Sequence, residues 1–324
     1  MPEPWEKSQL DKRLSMLGGL MFGNGLFDNI SDAYKFLMLN YEPTDKVYLF
    51  GFSRGAYTAR AVAALLHSVG LLHRDTESLL PYALRYWKSD FGPQSPGGAT
   101  CAEFKATLAR PCPVHFIGVW DTVSSVGYIN NFRTFPHTAH NPEVAHVRHA
   151  VSIDERRSTF RQNLMSPVFP AQDVKNVYFA GVHSDVGGGY PPAESGLAKL
   201  AFQWLMREAG RCGLDIDDVA LKRELYDVDA PPDPSAPLHV SLAGCWWLGE
   251  LLPMRHYSWA DQKWHWHWFK GAFNEPRDIT RVAKMPWVSL HQSVIDRIKT
   301  VGSYRPANIP DDEAGLRATF QIEN

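Results

Sequence analysis

Residues 47–55 join an apolar run to a serine that stands between two glycines. The run ends in Gly-Phe-Ser-Arg-Gly, and an alanine-rich helical pattern follows over 56–66. A strand, a sharp turn carrying serine and then a helix make up a nucleophile elbow, which presents the serine hydroxyl for attack on a carbonyl carbon. Gly51 and Gly55 are expected there because a side chain at either position would crowd the strand against the helix. Ser53 is therefore the candidate nucleophile.

Two polar residues stand in corresponding places after two later apolar runs. Asp121 follows the run 114–120, and His183 follows the run 176–182. Continuous apolar runs are typical of parallel strands covered on both faces, and the carboxyl ends of such strands lie along one edge of a sheet. A serine needs an imidazole to take its proton and a carboxylate to orient that imidazole. The sequence thus predicts a triad of Ser53, Asp121 and His183.

Both partners of the serine also fit other roles. An aspartate after a strand, such as Asp121, commonly caps a helix or begins a turn. His183 also fits a hydrogen-bonded histidine in a buried loop. The glycines at 187–189 favour a functional loop, because three successive glycines indicate a tight turn or a close backbone contact.

A second triad uses residues farther along the chain. Asp185 lies just past the same strand as His183, so Ser53, Asp185 and His291 keep the order serine, acid, histidine. His291 also opens an apolar helical pattern over 294–298, which is typical of a capping or packing residue. The sequence leaves this second triad as an alternative.

The elements that must hold these residues alternate between strands and helices. A helix after Asp28 precedes a strand at 46–51, and a helical stripe covers 197–210. Apolar residues over 144–151 at helical spacing predict another helix, and 238–242 predict a last strand. This alternation predicts an α/β fold with a mostly parallel sheet and flanking helices, and the order of the triad residues makes the fold α/β-hydrolase-like.

Composition divides the chain into three parts. Residues 1–17 are polar and are expected to be irregular. Residues 18–230 are expected to form the α/β-hydrolase core. Residues 231–324 begin with a proline-rich linker and are expected to be the C-terminal part of the same domain, with a tryptophan-rich cap or lid.

Aromatic residues crowd the predicted lid. Trp246, Trp247 and Trp266 are candidates for an acyl-binding wall, because tryptophan suits a surface that is apolar on one side and wet on the other. A cap packed on the sheet is the alternative. His265 and His267 alone do not predict a metal site, since no H-E-x-x-H motif is present.

Four arginines, at 148, 156, 157 and 161, form a basic cluster. Such a cluster is commonly a solvated helix face. Contact with an anion or with a phospholipid head group at a membrane surface is the functional alternative.

The composition narrows the class of protein. The chain has 324 residues and a formal net charge of −2, which argues against a nucleic-acid-binding protein. Its first residues lack the apolar run of a signal peptide, and no segment has 18 successive apolar residues. The four cysteines lack C-x-x-C spacing, so neither a zinc site nor a disulfide framework is predicted. We expect a protein that is cytoplasmic when synthesised and needs no metal and no cofactor.

Three longer motifs resemble one known family. Segments 51–60, 119–123 and 181–190 read GFSRGAYTAR, VWDTV and GVHSDVGGGY. They are similar to the catalytic domain of type VI secretion phospholipase effectors, a domain that also occurs widely in bacterial and fungal α/β-hydrolase proteins. The resemblance runs from about residue 18 to about residue 305.

The resemblance implies a chemistry and a substrate class. It implies phospholipase A-type ester hydrolysis, with the family's triad falling on Ser53, Asp121 and His183. It implies a phospholipid or other ester substrate and no cofactor. For members that are secreted, it implies export by a system that does not use a signal peptide.

The resemblance also implies elements that residues 1–45 do not show. The family has a strand ending in Asp-Gly-Thr and a second strand before the helix that precedes the elbow. Without them the strand 46–51 has an open edge, where a partner or a second copy can pair. The Arg54 amide is the first oxyanion donor, the second is expected from the early part of the fold, and losing one donor typically costs about 10²–10³ in turnover. We therefore expect a fragment or a truncated product, and the alternative function is a weakly active or inactive binding module.

Overall fold

A central parallel sheet organises the chain. The computed structural model describes residues 25–90, 92, 94–123, 135–157, 160–226, 230–243, 247 and 276–324, with the backbone alone of 254–258 and 263–267. Strands and helices alternate through most of this length. The predicted α/β fold with a mostly parallel sheet and flanking helices is confirmed.

In the described residues, the central sheet has six strands, all parallel to their neighbours. Numbered in chain order and given in spatial order, they are β1 (Val47–Phe52), β4 (Val114–Trp120), β5 (Val144–Ser152), β6 (Asp173–Phe179), β9 (Val288–His291) and β10 (Gln321–Glu323). Two antiparallel pairs of described strands lie outside it, β2 (Leu71–Leu72) with β3 (Ala109–Arg110) and β7 (Met254–Ser258) with β8 (Lys263–His267).

The described residues also form nine α-helices. They are α1 (Leu26–Asn40), α2 (Arg54–Val69), α3 (Leu80–Trp87), α4 (Pro96–Leu108), α5 (His183–Gly187), α6 (Gly196–Arg211), α7 (Asp218–Tyr226), α8 (Gln292–Thr300) and α9 (Glu313–Thr319). Short 3₁₀ turns cover Arg74–Leu79 and Pro192–Glu194.

The sheet is covered on both faces, which explains its continuous apolar strands. Alternate residues of β4 point to opposite faces of the sheet. Ile117 and Val119 lie in one buried cluster with the apolar face of α2, and Phe116 lies in another with Trp204 of α6. Both faces of the strand that ends at Asp121 are therefore buried, so its carboxyl end is held firmly in place.

The prediction of a helix over 144–151 is wrong, because these residues form the central strand β5. The polar residues that imitated a helical pattern are buried and paired. Arg148, expected on a solvated helix face, donates to Glu208 at 2.6 Å and to both oxygens of Asp173. The ring of His149 bonds to Asn176 at 3.0 Å. Because these polar side chains form hydrogen bonds and ion pairs inside the protein, their polarity did not indicate an exposed face.

The predicted last strand at 238–242 is also wrong, since this segment is a loop. His239 and Ser241 of the loop pair with Asp185 and Glu155 at the carboxyl edge of the sheet. Side-chain hydrogen bonds, rather than the backbone hydrogen bonds of a strand, therefore hold this loop in position. The strands that extend the sheet past β6 are β9 and β10.

Strand β1 stands at one end of the sheet in the described part of the chain. Its hydrogen-bonded partner there is β4, in register from Tyr48 with Phe116 to Phe52 with Trp120. Phe50 on this strand is 37% exposed. In the described ranges, none of the helices has the length and apolar character needed to cross a lipid bilayer.

Candidate active site

The turn between β1 and α2 has the strained backbone of a nucleophile elbow. Ser53 adopts φ 58° and ψ −118°, a conformation that costs about 1–3 kcal/mol for a residue with a side chain. A Cβ added at Gly51 would lie 2.3 Å from the carbonyl oxygen of Gly55. The strand and the helix thus approach too closely for any residue but glycine at position 51.

The matching expectation for Gly55 is wrong. A Cβ built there meets nothing within 4 Å. Gly55 is exposed in the first turn of α2, so its added side chain would point away from the strand. The two glycines of the motif therefore have different roles, and the close contact depends on Gly51.

Asp121 stands at the carboxyl end of β4, in a left-handed conformation with φ 37°. Its amide donates to the carbonyl of Ala150 at 2.7 Å. Its carboxylate is fully buried and accepts from the amide of Ser152 at 2.9 Å and from the Ser152 hydroxyl at 3.2 Å. Bonds from the neighbouring strand therefore fix both the backbone and the side chain of this acid.

His183 begins helix α5 and joins the serine to the aspartate. Its Nε2 lies 2.8 Å from Ser53 Oγ, and its Nδ1 lies 2.6 Å from Asp121 Oδ2. The imidazole lies between the rings of Phe52 and Phe160, with centroids at 4.5 and 4.8 Å. These contacts restrict rotation of the ring, so both nitrogens stay aligned with their partners.

An arginine that sequence reasoning missed completes this group. The guanidinium of Arg277 is buried, and it donates from Nη1 to Asp121 Oδ1 at 2.5 Å and from Nη2 to Asp121 Oδ2 at 3.0 Å. It also donates to the carbonyls of Ser152 and Phe160. The residue lies in an irregular segment, without periodicity or motif, and no sequence signal could have identified it.

The paired charges fix the ionisation of this group. Burial favours the neutral acid, yet the guanidinium of Arg277 and the contact with His183 hold the pKa of Asp121 well below its usual range. Burial likewise opposes the charge on Arg277, and Asp121 nevertheless raises the pKa of that guanidinium. Asp121 is therefore a carboxylate near neutral pH.

Two buried carboxylates hold the backbone around His183. Glu155 accepts the amide of His183 at 3.2 Å and binds the guanidinium of Arg157. Asp185 accepts the amide of Val182 at 3.1 Å. The start of α5 is thus anchored from both sides.

The structure does not bring the members of the alternative triad to Ser53. Asp185 pairs with His239, with Nδ1 and Oδ1 2.6 Å apart. His291 caps α8 by accepting the amide of Ser293, and its ring stacks on Phe179 at 4.5 Å. Burial and the charge of Arg207 lower the pKa of His291 to about 3. Both residues have structural contacts instead.

Arg54 begins α2 directly after the serine. The first-turn amides of a helix point out of its amino end, where the helix dipole favours negative charge. The predicted oxyanion donor is therefore the first amide of α2, directly after Ser53 in the chain.

The structure describes the three tryptophan candidates only in part. Trp246 lies outside the described residues, as do most residues of the predicted lid. Trp247 is 44% exposed. The backbone of Trp266 lies in β8, and its side chain is outside the description.

Among the described residues, one group of side chains offers metal-ligand atoms, at the amino ends of strands β5 and β6. His146, Asp173 and Cys212 have ligand atoms within 4.8 Å of one another. Arg148 already binds both oxygens of Asp173, at 2.9 and 2.8 Å, and burial raises the pKa of the Cys212 thiol. We therefore interpret Asp173 as a salt-bridge partner of Arg148 rather than as a metal ligand.

Parts of this chain are similar to known proteins. Uncharacterized protein YEL023C of Saccharomyces cerevisiae is 41% identical over 155 residues, which are 46% of this chain and 23% of that protein. A structure of the Tle1 effector bound to the VgrG spike of the type 6 secretion system is 24% identical, with a TM-score of 0.25. That match covers 52% of this chain and 30% of the Tle1 chain. The chain thus spans less than a third of either protein.

The family comparison covers the elbow and both of its predicted partners. Residues 4–208 match the family described as the catalytic domain of Tle1-like phospholipase effectors of type VI secretion. The match includes Ser53, Asp121 and His183 and ends before Arg277. With most of its length inside this match, the chain belongs to the family of Tle1-like type VI secretion phospholipase effectors.

Proposed function

We propose that this chain is a serine hydrolase that cleaves carboxylic esters, phospholipids among them, through an acyl-enzyme. The observation that carries the proposal is the continuous line of contacts from Ser53 Oγ through His183 to Asp121, at 2.8 and 2.6 Å. Membership of a phospholipase family supports the hydrolase class. The substrate class follows from that membership and is part of the proposal.

In the proposed reaction, His183 Nε2 takes the proton of Ser53 as Oγ attacks the ester carbonyl carbon. Asp121 keeps the proton on Nδ1 and stabilises the imidazolium that forms. His183 then gives the proton to the leaving alcohol, and an acyl group remains on Ser53. Attack by water with the same histidine as base releases the acid and restores the serine.

The tetrahedral intermediate carries a negative charge that needs hydrogen-bond donors. The amide of Arg54 supplies one at the amino end of α2, where the helix dipole also favours the oxyanion. Losing one oxyanion donor typically costs about 10²–10³ in turnover. The source of a second donor therefore decides how fast this domain can work.

Replacement of the serine tests the proposal. Ser53→Ala should abolish hydrolysis of short and long acyl esters, and a fluorophosphonate should label wild-type protein at Ser53 alone. Ser184→Ala is the control, since this serine stands beside His183 and has no place in the proton path; it should keep both activity and labelling. Undiminished hydrolysis by Ser53→Ala would refute the serine mechanism.

A second candidate function rests on the position of β1. This strand pairs with β4 on one side in the described part of the chain, and such a strand can accept another by edge pairing. A binding or assembly module with weak or no activity would use this edge. Folded protein that a fluorophosphonate does not label would favour the module over the enzyme.

A further inference from the structure

We propose that Arg277 is a positioning residue of the triad, which fixes the orientation and the charge of Asp121 and thereby keeps His183 available as a base near neutral pH. The inference rests on the function proposed above. It concerns a residue outside the family match, which ends at residue 208.

The geometry of the ion pair fixes the plane of the carboxylate. Nη1 and Nη2 of Arg277 each donate to a different oxygen of Asp121, at 2.5 and 3.0 Å. Two parallel bonds between planar groups hold the carboxylate in one orientation, which a single point charge would not do. In that orientation Oδ2 meets His183 Nδ1 at 2.6 Å.

The arginine is itself held firmly. Its Nη1 donates to the carbonyl of Ser152 at 3.0 Å and to the Ser152 hydroxyl at 2.9 Å. Asn308 donates to the backbone carbonyls of Arg277 and Ile153, each at 3.1 Å. The guanidinium is therefore a fixed part of the site.

The charge count of the site also favours this role. Before the reaction, the positive charge of Arg277 balances the negative charge of Asp121. In the tetrahedral intermediate, the new imidazolium balances the new oxyanion. The buried group thus has no net charge in either state, which is favourable because an uncompensated buried charge is costly.

Removing the guanidinium should make the histidine harder to deprotonate. Asp121 would then act on His183 with its full negative charge from 2.6 Å, which favours the imidazolium. An imidazolium cannot accept the proton of Ser53. The pH at which the site becomes active would therefore rise.

Other titratable groups act on this ion pair, and the groups named here do not reverse the expected effect of removing the guanidinium on His183. His149 on β5 and Tyr178 on β6 interact with Asp121 or Arg277. Burial lowers the pKa of His149 to about 3 and raises the pKa of Tyr178, so both stay neutral over the working range. Glu155 also acts on Arg277, and it is ion-paired with Arg157.

Two substitutions separate orientation from charge. Arg277→Met removes both, and it should lower kcat/KM on a p-nitrophenyl ester by about 10²–10⁴ and move the acidic limb of the pH–rate profile up by at least about one unit. Arg277→Lys keeps the charge and loses the two-pronged contact. It should lower kcat/KM by about 10–10² and leave the acidic limb in place.

The matched control is another buried arginine that forms ion pairs. Arg148→Met breaks the pairs with Glu208 and Asp173 at the amino end of the sheet. It should destabilise the protein and leave the pH profile unmoved. A pH shift in Arg148→Met as large as in Arg277→Met would overturn the inference.

A readout that needs no turnover distinguishes this inference from the proposed function. NMR titration of the His183 ring, identified by its loss in His183→Ala, should give a higher midpoint in Arg277→Met than in wild type. Equal midpoints in the two proteins would overturn the role of Arg277. If Arg277→Met does not fold, Arg277→Lys decides instead, and wild-type kcat/KM in that variant would overturn the role of Arg277. Wild-type protein that neither hydrolyses esters nor reacts with a fluorophosphonate would refute the hydrolase proposal, while the titration would still decide the action of Arg277 on His183.

Discussion

Two histidine–aspartate pairs lie side by side at the carboxyl edge of the sheet, and they differ in what surrounds them. His183 and Asp121 are joined at 2.6 Å, as are His239 and Asp185. The Nε2 atom of His183 faces a serine hydroxyl at 2.8 Å, whereas the same atom of His239 faces the carboxylate of Glu194 at 3.0 Å. A close histidine–aspartate contact therefore does not by itself make a base.

The charges behind the two pairs explain the difference. Partial burial opposes the charged form of His239, yet hydrogen bonds to Glu194 and Asp185 raise the pKa of its imidazole. A histidine held between two carboxylates favours the imidazolium, which cannot accept a proton. In the other pair, the charge of Asp121 is shared with Arg277. In the proposed mechanism, this arginine distinguishes His183, the proposed base, from His239, which is held in an ion pair.

The second pair has a structural use. Asp185 accepts the amides of Val182 and His239, at 3.1 and 3.2 Å. The His239 ring also stacks on Tyr190, with centroids 3.6 Å apart and planes inclined by 12°. These contacts fasten the loop around His239 to the start of α5.

Replacing each histidine by alanine should give the largest difference between the two pairs. His183→Ala should lower kcat by about 10⁴ or more, because Ser53 loses its proton acceptor. His239→Ala should stay within about tenfold of wild type, since its ring takes no part in the proposed proton path. Steady-state ester hydrolysis measures both, with His291→Ala as a second control. If His291→Ala matched the loss in His183→Ala, the alternative base would have to be reinstated.

Replacing each aspartate by asparagine should give a smaller difference between the two pairs. Asp121→Asn should lower kcat by about 10³–10⁴, because an amide no longer selects the histidine tautomer with its proton on Nδ1. It should also destabilise the fold by about 3–5 kcal/mol, since Arg277 is left as an unpaired buried charge. Hydrolysis rates and chemical denaturation measure the two effects.

Asp185→Asn is the matched partner of that substitution. It should reduce stability by about 1–3 kcal/mol through the weakened contacts with His239 and Val182, and change kcat by less than about tenfold. Equal losses of kcat in the two asparagine variants would mean that the two pairs do not differ in function.

The sequence predicted the apolar framework of the site well. The run 114–120 is the strand β4 with the same bounds, and the elbow lies where Gly51 and Ser53 indicated. These elements are covered on both faces, so their composition reflects their position directly. Asp185 was also a reasonable candidate acid, since it does pair with a histidine, although the histidine is His239.

The features that were missed depend on pairing between distant polar residues. Strand β5 imitated a helix because Arg148 and His149 are satisfied inside the protein. Arg277 and Asp121 meet across 156 residues of chain, and nothing local marks either as a partner of the other. Periodicity reports burial of apolar residues, and it does not register an ion pair formed by folding.

The smallest expected effect concerns the charge on His239. Because its pKa is raised in the folded protein, its contribution to the free energy of unfolding is fully present below the unfolded value of about 6.5 and is lost as pH rises through the folded pKa. Glu194 is exposed, so its share should be no more than about 0.5 kcal/mol. Glu194→Gln should therefore reduce the fall in Tm between about pH 6 and about pH 9 by about 1–2 °C. Glu313→Gln is the control, because this carboxylate pairs with Lys299 and Arg317 and has no histidine partner among the described residues. A pH-dependent change as large in Glu313→Gln would show that the effect does not come from the charge on His239.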